Sequence, residues 1–289
     1  NHSIRCRMLA DNSRFMPGKD QFMTRHIDDQ TINDFRANGV TVLRGVFLDW
    51  VEILRAGTAW NIENPGPSAR SYQGENGEGL FHSDYCNWQR IIEYQDFIFK
   101  SPVAEIAAEL MLSKTVRLFH EHILIKDAES DVGTPWHQDQ PYYCVAGPKT
   151  VSLWIPLDPV SRDRTLEFVA GSHEAGNSYQ PQYFDGRPLN EDDILAPVPD
   201  IEANREAYDI RGWEVMPGDA VAFDYRTIHG APANHSCTQR RAFSLRLIGD
   251  NAQFVLREGM KTSPPFPDVS LEHGAPLEGE EFPLLFPRD

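Results

Sequence analysis

A mainly β fold with flanking helices is predicted by three features of this 289-residue chain. Short stretches of alternating apolar and polar residues recur through its second half, and a period of two marks a strand with one buried face. The cleanest runs over 150–157, where Val151, Leu153, Ile155 and Leu157 share one face and Thr150, Ser152 and Trp154 the other. Turn residues such as Pro217-Gly218-Asp219 punctuate these stretches. Before residue 113 the periodicity is helical instead. Short antiparallel strands preceded by helices predict a double-stranded β-helix, a jelly-roll, cupin-like barrel with helices on one side and room for a metal in its mouth.

In chain order, residues 1–26 lack periodicity and read as a loose N-terminal tail. Residues 27–113 read as a mainly helical part. Its first helix spans 27–39, with Ile27, Ile32 and Phe35 apolar and Gly39 as C-cap. A strand follows over 40–43, a helix over 49–61 and another over 102–111, while 64–79, dense in Gly, Pro, Asn and Ser, reads as a long loop. The jelly-roll core is expected over 114–250. Its strands are placed at 115–126, around the motif at 134–141, and at 150–157, 166–169, 212–215, 220–224 and 239–248. A polar, proline-bearing insertion over 174–211 reads as a lid-like excursion across the barrel mouth. Residues 251–289 read as an extended C-terminal tail, and the whole as one domain.

Charge narrows the partners. The formal net charge is −16, whereas nucleic acid and anionic membrane both demand a basic footprint. No apolar run approaches the eighteen or so residues of a spanning helix, and no signal-peptide core is visible, so the expected location is cytoplasmic. The four cysteines (Cys6, Cys86, Cys144, Cys237) are scattered without a Cys-x-x-Cys and read as reduced thiols. A small-molecule substrate is the expected partner; the oligomeric state is not encoded legibly.

The chemistry concentrates in Trp136-His137-Gln138-Asp139. On a strand, residues two apart point to the same face, so His137 and Asp139 are expected to grip one ion. His229, directly after the strand over 220–224, is the expected third ligand. Two histidines and one carboxylate, with positions left open, form the facial arrangement of non-haem Fe(II) oxygenases; zinc accepts the same ligands, but three open positions favour Fe(II). Further on, strand parity sets Arg241, Phe243, Leu245 and Leu247 on one face and Arg240, Ala242, Ser244 and Arg246 on the other. The apolar face belongs to the packing layer. Arg240 then points into the barrel, where its planar fork can take a carboxylate.

These residues resemble the phytanoyl-CoA dioxygenase family of Fe(II)/2-oxoglutarate-dependent oxygenases. The resemblance is carried by the motif at 136–139, Trp154-Ile155-Pro156-Leu157, the run over 166–173, Pro217-Gly218-Asp219, His229-Gly230 and Arg240-Arg241-Ala242. It implies that His137, Asp139 and His229 hold Fe(II), that Arg240 holds the distal carboxylate of 2-oxoglutarate, and that O2 and 2-oxoglutarate are consumed as a substrate is hydroxylated, with release of succinate and CO2. Ala170 stands where the family usually has proline, and Ala231 where some members offer a serine to the co-substrate. Trp154 is a candidate wall of the co-substrate pocket and His122, sharing a strand face with His120 and Lys126, a candidate lining residue. His173 is expected to fix a turn.

Two other functions compete. A non-catalytic or zinc-bound cupin-like binding protein would keep the triad yet have no need of Arg240. An oxidative halogenase would lack the carboxylate at Asp139. Both Arg240 and Asp139 are present.

Overall fold

The computed structural model describes residues 26–191 and 194–288, so the expected tail over 1–26 lies, apart from His26, outside the described residues. Helix α1 (Asp29–Asn38) starts where the Asp28 carboxylate accepts the Thr31 N–H at 2.8 Å. It stops at Gly39, whose left-handed φ of 71° no branched residue would tolerate cheaply. There follow β1 (Val40–Leu43), α2 (Val51–Glu63), β2 (Arg70–Gln73), β3 (Leu80–Tyr85), α3 (Ile92–Lys100) and α4 (Val103–Met111). Pro102 sits just ahead of α4, a position where its missing N–H costs nothing.

The remaining strands are β4 (Val116–Lys126), β5 (Thr134–His137), β6 (Val145–Ala146), β7 (Thr150–Pro156), β8 (Glu167–Val169), β9 (Ile210–Arg211), β10 (Ala220–Phe223), β11 (His229–Ala231), β12 (Arg240–Gly249), β13 (Gln253–Phe254) and β14 (Leu284–Phe286). They pair antiparallel into a major sheet, β1-β10-β7-β12-β4-β3-β2 with β14 beside β4, and a minor sheet, β5-β11-β8-β9; β13 pairs with β6. This is the jelly-roll architecture. One face of the major sheet, with Val151, Leu153, Ile155, Phe243, Leu245 and Leu247, packs on the helices. Full burial of each such side chain contributes roughly 1.5–3 kcal/mol, which makes this layer the anchor of the fold. From the other face Trp154, Val221, Phe223 and Ala242 meet Leu166 and Phe168 of the minor-sheet side. The site lies between the two sheets.

Three segments depart from the sequence reading. The loop expected over 64–79 contains β2, an edge strand whose Arg-Ser-Tyr-Gln offers no apolar alternation because most of it faces solvent. Strand β3 and helix α3, within 80–100, were not anticipated. The strand expected over 212–215 is displaced: β9 ends at Arg211, and Val215 instead bridges Val160. The segment after Met260 is extended, yet it is built into the core, since Leu277, Phe282 and Leu285 are buried and β14 extends the edge beside β4. From the insertion, Phe184 packs on Phe81 at 4.6 Å and on Tyr72 at 5.4 Å between ring centroids, which lays that segment across the mouth.

Glu121 of β4 is fully enclosed on the helical side, where it accepts the Asn87 N–H. Burial pushes its carboxyl up to about 8 against that hydrogen bond. An unfolded glutamate titrates near pH 4.3, so between about pH 4.3 and 8 the folded chain binds the extra proton and stability falls as pH rises. Glu121→Gln is expected to gain melting temperature over the parent progressively from pH 5 to pH 8. Parallel melting curves for the two proteins across that range would contradict the assignment.

Candidate active site

Strand pairing assembles the centre. In the minor sheet His137 of β5 stands directly opposite His229 of β11, and the two rings lie 4.2 Å apart. Asp139 does not continue β5. The strand ends at His137, and Asp139 adopts helical backbone angles (φ −77°, ψ −42°) at the start of a 3-10 turn over 140–142 that contains Pro141. The two-apart strand spacing expected from sequence is thus replaced by a turn. That turn is pinned by the N–H groups of Asp139 and Gln140, which both donate to the Tyr225 carbonyl at 2.9 and 3.0 Å. The outcome is convergent: Asp139 Oδ1 lies 3.6 Å from His137 Nε2 and 3.9 Å from His229 Nε2, and one donor atom from each of the three residues falls within 4.8 Å of the others.

Both histidines are held in the tautomer a metal needs. His137 Nδ1 faces the Pro135 carbonyl at 2.8 Å and His229 Nδ1 the Thr227 carbonyl at 3.0 Å. A carbonyl only accepts, so each Nδ1 carries the proton and each Nε2 presents its lone pair to the centre. Burial, with the neighbouring His137, lowers His229 to about 3 and keeps it neutral. Burial opposes ionisation of Asp139, but the close His137, His229 and Arg246 outweigh it and hold the carboxyl well below the usual range. Tyr142 donates its hydroxyl to Asp139 Oδ1, Ser152 donates to Oδ2 at 3.3 Å, and Arg246 Nε stands 4.0 Å from Oδ2. Neutral imidazoles beside an ionised carboxylate are the donor set that a divalent ion takes. The triad fits Fe(II).

An inner cavity runs from the triad between the sheets to Arg240, walled by Trp154, Leu166, Phe223, Ala242 and Ser244. Arg240 is buried, donates to the Arg164 carbonyl and meets no carboxylate among the described residues; burial and Arg164 lower it to about 10. Lys126, its neighbour across β4 and β12, is equally enclosed: Nζ donates to the Pro232 carbonyl at 3.0 Å and lies 4.9 Å from the Phe81 ring centroid. Arg241, on the opposite strand face, is instead held bidentately by Asp158 at 2.7 and 2.9 Å. Two polar atoms on the inward face of β12, Ser244 Oγ and Arg246 Nη1, are buried without a partner. His122 also lines this cavity, with Nε2 2.7 Å from Ser83 Oγ. His173 lies elsewhere: its Nε2 donates to the Arg36 carbonyl at 3.1 Å, under the end of α1.

The sequence reading missed Tyr142, Ser152, Ser244, Arg246 and Lys126. Parity already put Ser244 and Arg246 beside Arg240, and inward parity on a barrel strand was the available signal. The same parity put Ser152 beside Trp154, whereas Tyr142 offered no signal, because its role depends on where the turn after His137 places Asp139.

A jelly roll with a His-Asp-His triad in its mouth and a buried arginine facing the same cavity defines the class of Fe(II)/2-oxoglutarate-dependent oxygenases. The chain belongs to the family described as Phytanoyl-CoA dioxygenase (PhyH), which it matches over residues 35–242. It is 30% identical over 155 residues to the L-proline trans-4-hydroxylase of Streptomyces griseoviridis, a match spanning 48% of this chain and 56% of that protein. Among solved structures it is similar to the non-haem α-ketoglutarate-dependent carbocyclase SnoK from nogalamycin biosynthesis (TM-score 0.69, 22% identity, 90% of this chain and 96% of that one). It is also similar to EctD from S. alaskensis with 2-oxoglutarate and 5-hydroxyectoine (TM-score 0.65, 17% identity, 92% and 88%). No helix among the described residues is long and apolar enough to cross a membrane.

Removing one of only three protein ligands, by His137→Ala or His229→Ala, is expected to reduce iron in the purified protein to background by metal analysis. Tyr142→Phe keeps all three ligands and loses one hydrogen bond to Asp139, so its iron affinity is expected to fall about 10- to 100-fold. Full iron loading in both histidine variants would refute the triad.

Proposed function

We propose that the protein is an Fe(II)- and 2-oxoglutarate-dependent dioxygenase that hydroxylates a small organic molecule. The observation that carries this is the pairing of a metal triad with a buried cation, Arg240, that has no carboxylate of its own. A guanidinium is desolvated at a cost that only a partner anion offsets. The distal carboxylate of 2-oxoglutarate fits there, with Lys126 beside it and Ser244 and Arg246 offering unused donors along the same strand face toward the iron. Trp154 and Leu166 wall the space between. His122 borders it from β4.

Bound iron with 2-oxoglutarate supplies oxidative decarboxylation: one atom of O2 enters succinate, CO2 leaves, and the other oxygen atom becomes the hydroxyl on the substrate. The chain's own residues position and shield. Arg240 fixes one end of the co-substrate, Asp139 occupies a coordination position that a halide would need, and the segment over 177–190 helps keep water from the mouth. The cupin-like binding-protein alternative leaves the cost of burying Arg240 without a counterpart.

Arg240→Ala is expected to weaken 2-oxoglutarate binding by about 2–5 kcal/mol, the loss typical of one partner of a buried charge pair. Arg241→Ala, which removes an outward pair with Asp158, is expected to leave it nearly unchanged. An anaerobic titration following the visible absorption of the iron complex measures both, and equal effects would refute the assignment. The activity itself predicts succinate from 2-oxoglutarate that requires Fe(II) and O2 and is indifferent to chloride. Folded, iron-loaded protein that forms none would leave the binding-protein reading in place.

A further inference from the structure

On the outer side of the triad a second cavity of about 450 Å³ opens from His137 toward the surface. Its lining contains no carboxylate among the described residues, although Asp and Glu outnumber Lys and Arg by 43 to 27 in the chain. Arg70 and Lys261 stand at its outer end, both exposed, and both also line the adjoining vestibule, where Glu191 is the single lining carboxylate among the described residues and Arg187 is already paired with Asp185 at 2.7 Å.

Several other arginines of this acidic chain hold carboxylates, as Arg44, Arg162, Arg205 and Arg211 do, while exposed Arg90 lies over the Trp60 ring instead. Arg70 likewise lies 5.7 Å from the Tyr183 ring centroid and hydrogen-bonds Tyr72, and Lys261 has no carboxylate partner among the described residues. The inner end is polar and uncharged. Burial and the nearby Arg246 keep His120 neutral, and its Nδ1 has no partner although the residue is only 2% exposed. The Tyr142 and Tyr143 hydroxyls beside it are engaged with Asp139 and Arg246.

Strand register sets the distance between the two ends. Arg70 pairs with Ser83 across β2 and β3, and Ser83 with Leu124 across β3 and β4, the strand that carries His120 and His122. Two strand spacings amount to about 10 Å across the sheet, and His120 lies four residues beyond Leu124, about 13 Å along β4, so the Arg70 and His120 Cα atoms stand roughly 16 Å apart and both side chains reach into the space between. Between them the wall is aromatic, with Tyr72, Tyr85, Tyr183 and Phe184.

We infer that the substrate is an organic anion without an ammonium group. Its carboxylate or phosphate lies between Arg70 and Lys261, its uncharged body lies against the tyrosines, and a neutral hydrogen-bonding group beside the reacting carbon meets His120 Nδ1. Among the described residues an ammonium in this cavity would shed water and find no carboxylate, whereas an anion gains two cations that hold no carboxylate there. The inference rests on the oxygenase reading, since it fills the space next to the iron ligands.

A matched series tests it by calorimetry on anaerobic protein loaded with Fe(II) and saturating 2-oxoglutarate, so that Arg240 is already engaged. The probes are 3-phenylpropionate, phenethyl phosphate, the coenzyme A thioester of 3-phenylpropionate, 3-phenylpropanamide, 3-phenylpropylamine and L-phenylalanine. At least one of the three anions is expected to bind 10-fold or more tighter than the amide, with the amine and the zwitterion weaker still; which anion leads tells a free acid from a phosphate ester or a thioester. Arg70→Gln and Lys261→Gln are each expected to weaken that anion 5-fold or more, and Lys114→Gln, a surface change elsewhere, to leave it alone. Tighter or equal binding of the amine, the zwitterion or the amide, no binding by any anion, or indifference to both substitutions overturns the inference. Binding that follows this pattern in a protein that makes no succinate defeats the oxygenase reading alone; succinate formation with the wrong binding order defeats this inference alone.

Discussion

The antiparallel pairing of His137 with His229 is the contact on which the centre depends. These residues are far apart in sequence, and only the β5–β11 ladder sets them face to face with both Nε2 atoms turned the same way. The backbone of the third ligand is then positioned by the two N–H groups at the start of the turn, Asp139 and Gln140, which share the Tyr225 carbonyl. Because the Nδ1 atoms are bonded to carbonyls two residues back in their own segments, each ring is oriented by the strand that bears it. The geometry is thus set by hydrogen bonds of the chain itself.

Charge burial follows from that arrangement. Asp139, Arg246 and Arg240 are all enclosed, yet only the first two face each other. Arg246 meets the Asp139 carboxylate at one end of the inward face of β12, and Arg240 stands without a carboxylate at the other. The strand therefore carries a neutralised end at the iron and an electropositive end at depth, which is the polarity that a dicarboxylate with one metal-binding end requires. Ala242 between them leaves the space open.

Much of this was legible in the residues. Alternation along 150–157 and 240–248 gave strands, faces and the inward direction of Arg240, because a half-buried strand writes its burial into its sequence. The cap at Gly39 was legible for the same local reason. β2 was not, since Arg70-Ser71-Tyr72-Gln73 lies on an exposed edge and carries no apolar period. Nor was the backbone at Asp139: a His-x-Asp spacing looks the same on a strand and across a turn, and the hydrogen bonds to Tyr225 that decide between them join segments distant in sequence. The roles of Lys126 and Ser244 were hidden because they consist of what those groups lack, a counter-charge and a partner, and a lack becomes visible only in three dimensions.

Besides β4 and the segment that bears His137, the outer cavity is walled by three segments of separate origin: the β2–β3 hairpin, residues 182–189 of the insertion and the chain after Met260. None of them contributes a triad residue or Arg240. Much of the wall that would meet a substrate is therefore inherited on different parts of the polypeptide from the oxidising chemistry. Substitutions can accumulate in the former without disturbing the iron centre, so lineages sharing this barrel are free to diverge in what they oxidise while the means of oxidation stays constant.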